Sequence, residues 1–208
     1  TIGGGYSNYT AQDSSTVGGG YNNTADGYRA TVGGGHRNQA RNQQATISGG
    51  QYNQATGVRS TIGGGYGGTA SGVWSFVGGG YNNSSTSDNT FVGGGYENTA
   101  SGQHSSVVGG RGNSASGSRS SVGGGLQNNN QGAYSVIAGG KGNAISSSAD
   151  LSIINGGAYC IIAGSGYSSA SGYNITIQNK AAHVLGSYIT SDRDNTTFVS
   201  NLSIKSIP

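Results

Sequence analysis

The chain has little of what usually holds 208 residues together. Its one cysteine, Cys160, excludes an internal disulfide. Its one proline excludes a collagen-like Gly-X-Y chain even though 43 residues are glycine. Methionine is absent and charged residues make up only 8%. Leu, Ile, Val and Phe together fall below the roughly one-fifth share under which disorder is suspected, yet the formal net charge is only +3, without the charge excess that accompanies disorder. No run of about 18 apolar residues could span a bilayer, and no tripartite start marks a secretion signal. Thr1 falls inside a repeating pattern, so an excised or processed segment is expected.

What the chain does have is a period. Written in rows of fifteen, residues 1–150 fall into register without a gap, with the consensus [ST]-[VI]-G-G-G-Y-x-N-x-A-x-G-x-x-S. Position two is β-branched in every row: Ile2, Val17, Val32, Ile47, Ile62, Val77, Val92, Val107, Val122 and Ile137. A fixed short period marks units that bury their faces only by stacking on one another. Fifteen residues are too few for a helical hairpin, and β-branched residues among turn-forming Gly and Asn favour short strands. An all-β parallel solenoid is predicted, with one coil per row and position two as its core.

Strand alternation assigns the remaining faces. With position two inward, positions four and fifteen are expected inward, and positions fourteen, one and three outward. Position ten is mostly Ala, a second small inward residue, and the glycine at position twelve is expected to occupy a turn of positive φ. Position eight forms a column of Asn8, Asn23, Asn38, Asn53, Asn83, Asn98, Asn113, Asn128 and Asn143, broken only at Gly68. Stacked at about 4.8 Å per coil, it is expected to act as a structural ladder that satisfies turn backbone groups. A rod so thin inside is expected to associate side by side, with the glycine at position three allowing close approach.

The rows Val92–Ser105 and Val107–Ser120 resemble the repeats of YadA-like heads of trimeric autotransporter adhesins, and more closely glycine-rich segments of bacteriophage and viral tail or attachment fibres. The resemblance implies a left-handed parallel β-roll, a side-by-side homotrimer, and display on a virion surface or, alternatively, on a bacterial cell surface. The period here is fifteen rather than fourteen, and Asn replaces the central Ser. Register is regular to 150 and irregular over 151–172, where two alignments are open, so 1–172 is predicted as the repeat head. Residues 173–208, with His183-Val184 and the stretch Asp194 to Leu202, resemble the neck that closes such a head; an ordinary capping turn is the alternative.

Chemistry has little to rest on. The acids Asp13, Asp26, Asp88, Glu97, Asp150, Asp192 and Asp194 recur at no single position, and the three histidines are scattered. The GGG triplets lack the G-K-[ST] of a phosphate loop, and calcium-binding rolls need an Asp in every repeat. No catalytic residue, metal or cofactor is therefore predicted, and Cys160 reads as a small buried residue. Ten scattered basic residues do not form the stripe that nucleic acid needs, and no direct membrane insertion is expected.

The outward positions can carry a partner. Position six holds Tyr6, Tyr21, Tyr66, Tyr81 and Tyr96, interrupted by His36 and Gln51; position fourteen holds Arg29, Arg59, Trp74, Arg119 and Tyr134 among others. Rings with neighbouring Arg suit stacking on sugars and bonding to their hydroxyl or acidic groups, so host surface glycan or polysaccharide is the expected partner. Alternatively the Tyr column packs on itself. A passive spacer rod remains a second reading. An ice-binding solenoid is a third, suggested by Thr1, Thr16, Thr31, Thr46 and Thr61 but weakened where the column turns to Phe76 and Phe91.

Overall fold

A computed structural model describes residues 1–200. They form a single all-parallel β-solenoid of about 13 turns, with 24 short strands and no helix. Each coil contributes two two-residue strands, at positions one and two (Thr31–Val32) and at nine and ten (Gln39–Ala40), plus a single bridge at position six. Strand pairs are offset by fifteen residues: Val32 lies over Ile47, Ala40 over Ala55, and Tyr66 over Tyr81. The backbone bonds run from coil to coil, as in Thr31 N–H to Ala45 O at 2.9 Å and Gly33 N–H to Ile47 O at 2.8 Å. No coil therefore completes its hydrogen bonding without a neighbour.

The interior is one continuous column. Position two is fully buried from Val17 to Ile137, and the alanines at position ten lie opposite it. Each Val or Ile so buried contributes about 1.5–3 kcal/mol. Ile2 is the exception at 45% exposed, because the first coil has nothing stacked on its outer side. Small residues at position fifteen (Ser15, Ala30, Ala45, Ser60) are buried as expected, which lets the walls approach. Cys160 is fully buried, in line with its reading as a small core residue.

Two assignments from alternation are corrected. Position four does not point inward: a Cβ built on Gly4, Gly19 or Gly49 meets nothing within 4 Å, because the GGG segment turns a corner and breaks the period of two. The glycines at position twelve do not have positive φ. Left-handed backbone falls instead at position five (Gly20, φ 90°), position seven (Asn22, φ 55°) and position fourteen (Arg29, φ 55°). Gly27 and its equivalents are needed for clearance, since a Cβ there would run into the backbone of the next coil.

Coil length changes along the rod, and the register is explicit. Ile137 pairs with Ile154, a step of 17; Ile154 pairs with Ala170, a step of 16; Ala170 pairs with Val184 and Val184 with Phe198, steps of 14. The extra residues after Ile137 lie between Ile145 and Asp150, in the turn of positions eleven to thirteen. From Ala170 the coil loses one residue of the glycine corner, and the strands lengthen to Ser169–Ile177 and His183–Thr190. The first of these strands runs across the boundary expected after Gly172, and the same columns continue to Val199. The part of the neck-like segment at 201–208 lies outside the described residues.

Candidate binding surface

The two columns singled out in the sequence stand on different corners of the coil. Position six follows the glycine corner and position fourteen sits in the turn of positions eleven to fifteen. Arg29, Arg59 and Arg119 therefore do not flank the Tyr column. Arg29 lies 4.9 Å from the Tyr28 ring, Arg59 lies 4.6 Å over Trp74, and Arg119 lies 5.1 Å over Tyr134 while Nη1 donates to its hydroxyl at 2.7 Å. Each is a cation–π pair on adjacent coils or neighbouring residues. Trp74 and Tyr134 are 56% and 54% exposed.

The Tyr column packs on itself and is unbroken. Tyr66, Tyr81 and Tyr96 stack with centroids 5.1 and 4.9 Å apart and planes within 6°. Gln51 does not interrupt it, because Tyr52, one residue on, places its ring 5.2 Å from His36 and 5.3 Å from Tyr66. With Tyr6 stacked on Tyr21, and Tyr21 edge-on to His36, rings run without a gap from Tyr6 to Tyr96. Ring faces in this ladder are covered by neighbouring rings, so it offers edges and hydroxyls. Trp74 and Tyr134 at the position-fourteen corner are more exposed than Tyr66, Tyr81 and Tyr96 of the ladder, with a guanidinium over one face of each.

Several members of this surface carried no signal in a position-by-position reading. Arg37 lies 5.7 Å from Tyr52, Arg111 lies 5.0 Å from Tyr96, and Lys141 lies 5.6 Å from Tyr159, which continues through Tyr173 to Tyr188. Tyr52 and Tyr159 stand at position seven, so only the folded turn shows that they share the ladder. The Glu97 carboxylate beside Tyr96 holds that phenol above its ordinary pKa.

Position fourteen is also a place of backbone cost. Arg29, Arg59, Trp74, Arg119 and Tyr134 all have φ of 55–58°, a left-handed conformation costing a residue with a Cβ about 1–2 kcal/mol. Gly or Asn would relieve it; Arg, Trp and Tyr stand there instead.

Other constellations are sparse. Ser169 Oγ lies 2.8 Å from His183 Nδ1 in a shallow hollow with Asn155, Ser171, Leu185 and Thr197, but among the described residues no carboxylate bonds to that imidazole. Among the described residues no group of three His, Cys, Asp or Glu could hold a metal ion, and no helix is long and apolar enough to cross a membrane. No family model matches the chain, and no curated protein matches it.

Proposed function

We propose that this chain is the head of an attachment fibre, displayed on a virion surface as in phage tail fibres, that recognises host surface glycan. The reading includes a side-by-side homotrimer and left-handed winding, both drawn from the resemblance of rows such as Val92–Ser105 to adhesin and fibre repeats. It assigns no catalytic role.

The observation that carries it is the position-fourteen corner, where exposed Trp74 and Tyr134 are each backed by an arginine and held at unfavourable φ. The left-handed φ belongs to this turn in every regular coil, Ser14, Gln44 and Asn89 included, so what supports the reading is the large exposed rings and guanidiniums placed there. An open ring face paired with a guanidinium suits a pyranose bearing hydroxyl or carboxylate groups. The self-stacked Tyr ladder supports the rod and presents its hydroxyls on its own corner.

The test is glycan-array binding by the purified chain and by Trp74→Ala and Tyr134→Ala. Specific binding that falls at least tenfold in both variants, with unchanged thermal unfolding, is the expected result. Absence of binding by the intact assembly would leave a spacer rod, and binding untouched by either substitution would remove this corner as the site.

A further inference from the structure

The side of the rod formed by positions one to four differs from the rest of the surface. Among the described residues no Lys, Arg, Asp or Glu stands at position one, three or four, from Thr1 to Val199, whereas every described charge lies at positions six, seven or eleven to fourteen. The strand column at position nine, from Tyr9 to Ala144, is equally free of charge, so charge depletion, a compositional mark of interface centres, leaves two faces. Positions one to four are the ones that stack phenylalanines and carry the most exposed aliphatic side chains. Phe76 and Phe91 stack at 5.3 Å and are 36% and 40% exposed, and Val108 and Leu185 are 57% and 56% exposed.

Glycine at position four adds an independent feature. Gly19 and Gly49 have no left-handed φ, and a Cβ on either meets nothing within 4 Å. At Gly19, Gly49, Gly79 and Gly109 neither the coil nor its backbone asks for glycine, whereas Gly64, Gly94 and Gly124 have φ of 152–159°; position four is glycine in every fifteen-residue coil all the same. At the position-three glycines a Cβ would run into a carbonyl of the next coil, although Ser48, Val108 and Ala138 are accommodated at that position; at position four no such clash exists.

We infer that this face is where copies of the chain pack against one another, the occupant being a second copy in parallel register. About 13 turns at ~4.8 Å give a strip ~60 Å long and ~10 Å wide, on the order of 600 Å² per copy, close to the ~800 Å² per partner of specific interfaces. Its partner must be equally long, equally free of charge and of the same coil spacing, and another copy meets all three conditions. Parallel register brings Phe76 and Phe91 of each copy to the same level. The inference rests on the trimer of the preceding section and goes further by assigning its face.

Mass photometry of the full chain decides it. Phe76→Glu/Phe91→Glu and, separately, Gly79→Gln/Gly109→Gln are expected to weaken assembly at least tenfold, while corner variants Tyr81→Glu and Arg119→Glu leave it intact. Circular dichroism checks that each variant keeps its β signal. Because a charged variant can also unfold, Ser106→Cys is oxidised in the otherwise unaltered chain and is expected to cross-link copies, whereas Ser118→Cys at the far corner is not. A monomeric unsubstituted chain would overturn the trimer and this inference together. An oligomer that survives both face variants, or one that cross-links through Ser118→Cys alone, would overturn only the assignment of the face.

Discussion

The side-chain oxygen of Asn98 accepts a 2.9 Å hydrogen bond from the backbone N–H of Asn113, one coil on. Asn98 Nδ2 meanwhile donates to Gly94 O in its own coil and to Gly110 O in the next, each at 2.8 Å. One buried amide thus satisfies three backbone groups at the glycine corner. Asn98→Ala leaves a buried N–H without an acceptor and strips a donor from two carbonyls. A loss of about 2–4 kcal/mol in denaturant unfolding is expected; a loss below about 1 kcal/mol would show that the ladder is ornamental.

The gap in the ladder gives the converse experiment. Gly68 N–H bonds to Asn53 Oδ1 at 2.8 Å, as an Asn would, but Gly68 offers Asn83 no side-chain oxygen in return. Its φ is not left-handed, and a Cβ there would lie 3.6 Å from Ile62 and Val77 and 3.0 Å from Asn53 Oδ1. Gly68→Asn should complete the column and raise stability by about 1 kcal/mol, seen as a higher Tm. An unchanged or lower Tm would mean that the tight contact with Asn53 outweighs the restored bonds.

Much of this was legible in the sequence, and the limits have physical causes. Position two, the Asn column and the coil register follow from a fixed period, because stacking places equivalent residues over one another whatever the details of the turn. The direction of position four and the place of positive φ were misread because alternation by two holds only within a strand, and each strand here is two residues long. Tyr52 was invisible for a similar reason: the left-handed residue at position seven swings its ring into the position-six ladder, so columns in space are not columns of the alignment. The corner chemistry was readable as residue types but not as pairs, since Arg59 finds Trp74 only through the stacking of successive coils.

Adjacent glycines in one corner should answer differently to the same change. Gly80 has φ 87°, and a Cβ there would lie 2.7 Å from Asn83 Nδ2 and strike the Gly95 carbonyl, whereas the nearest atoms to one on Gly79 are 3.9 Å away. Gly80→Ala is expected to cost more than about 3 kcal/mol, combining φ strain with a clash between coils. Gly79→Ala should stay within about 0.5 kcal/mol of the parent in unfolding of the isolated chain. Equal costs at the two sites, read from chemical denaturation, would contradict the geometry of the corner.

Cys160 stands in the ladder column, where its N–H bonds to Asn143 Oδ1 at 2.9 Å and its thiol donates to Gly172 O at 3.3 Å. Burial raises the thiol pKa, so the folded chain holds that proton more tightly than the unfolded chain does. Its contribution is therefore complete below the unfolded thiol pKa and is lost as pH rises through the folded value. No reaction with an aromatic disulfide reagent is expected before unfolding, with full reaction in denaturant. The alkaline fall in stability should be shallower in Cys160→Ser; an identical slope would show that the thiol does not contribute to it.

The change of coil length ties Asn and glycine together. In fifteen-residue coils the Asn at position eight caps the carbonyl of the glycine at position four; in the fourteen-residue coils that begin at Ala170, one corner residue is gone and position eight is Ile175, then Ile189. Without the extra carbonyl, a buried amide at Ile175 has no such acceptor in its own coil, while an apolar side chain extends the core. Ile175→Asn alone should therefore destabilise by about 2–4 kcal/mol through an unmatched buried amide and lost apolar volume. Inserting one glycine between Ser171 and Gly172 alone should also destabilise, since it restores the corner without its cap. Combined, the two changes rebuild a fifteen-residue coil and should recover at least half of the summed loss. A double variant as unstable as the sum of the singles would separate the Asn column from the length of the coil.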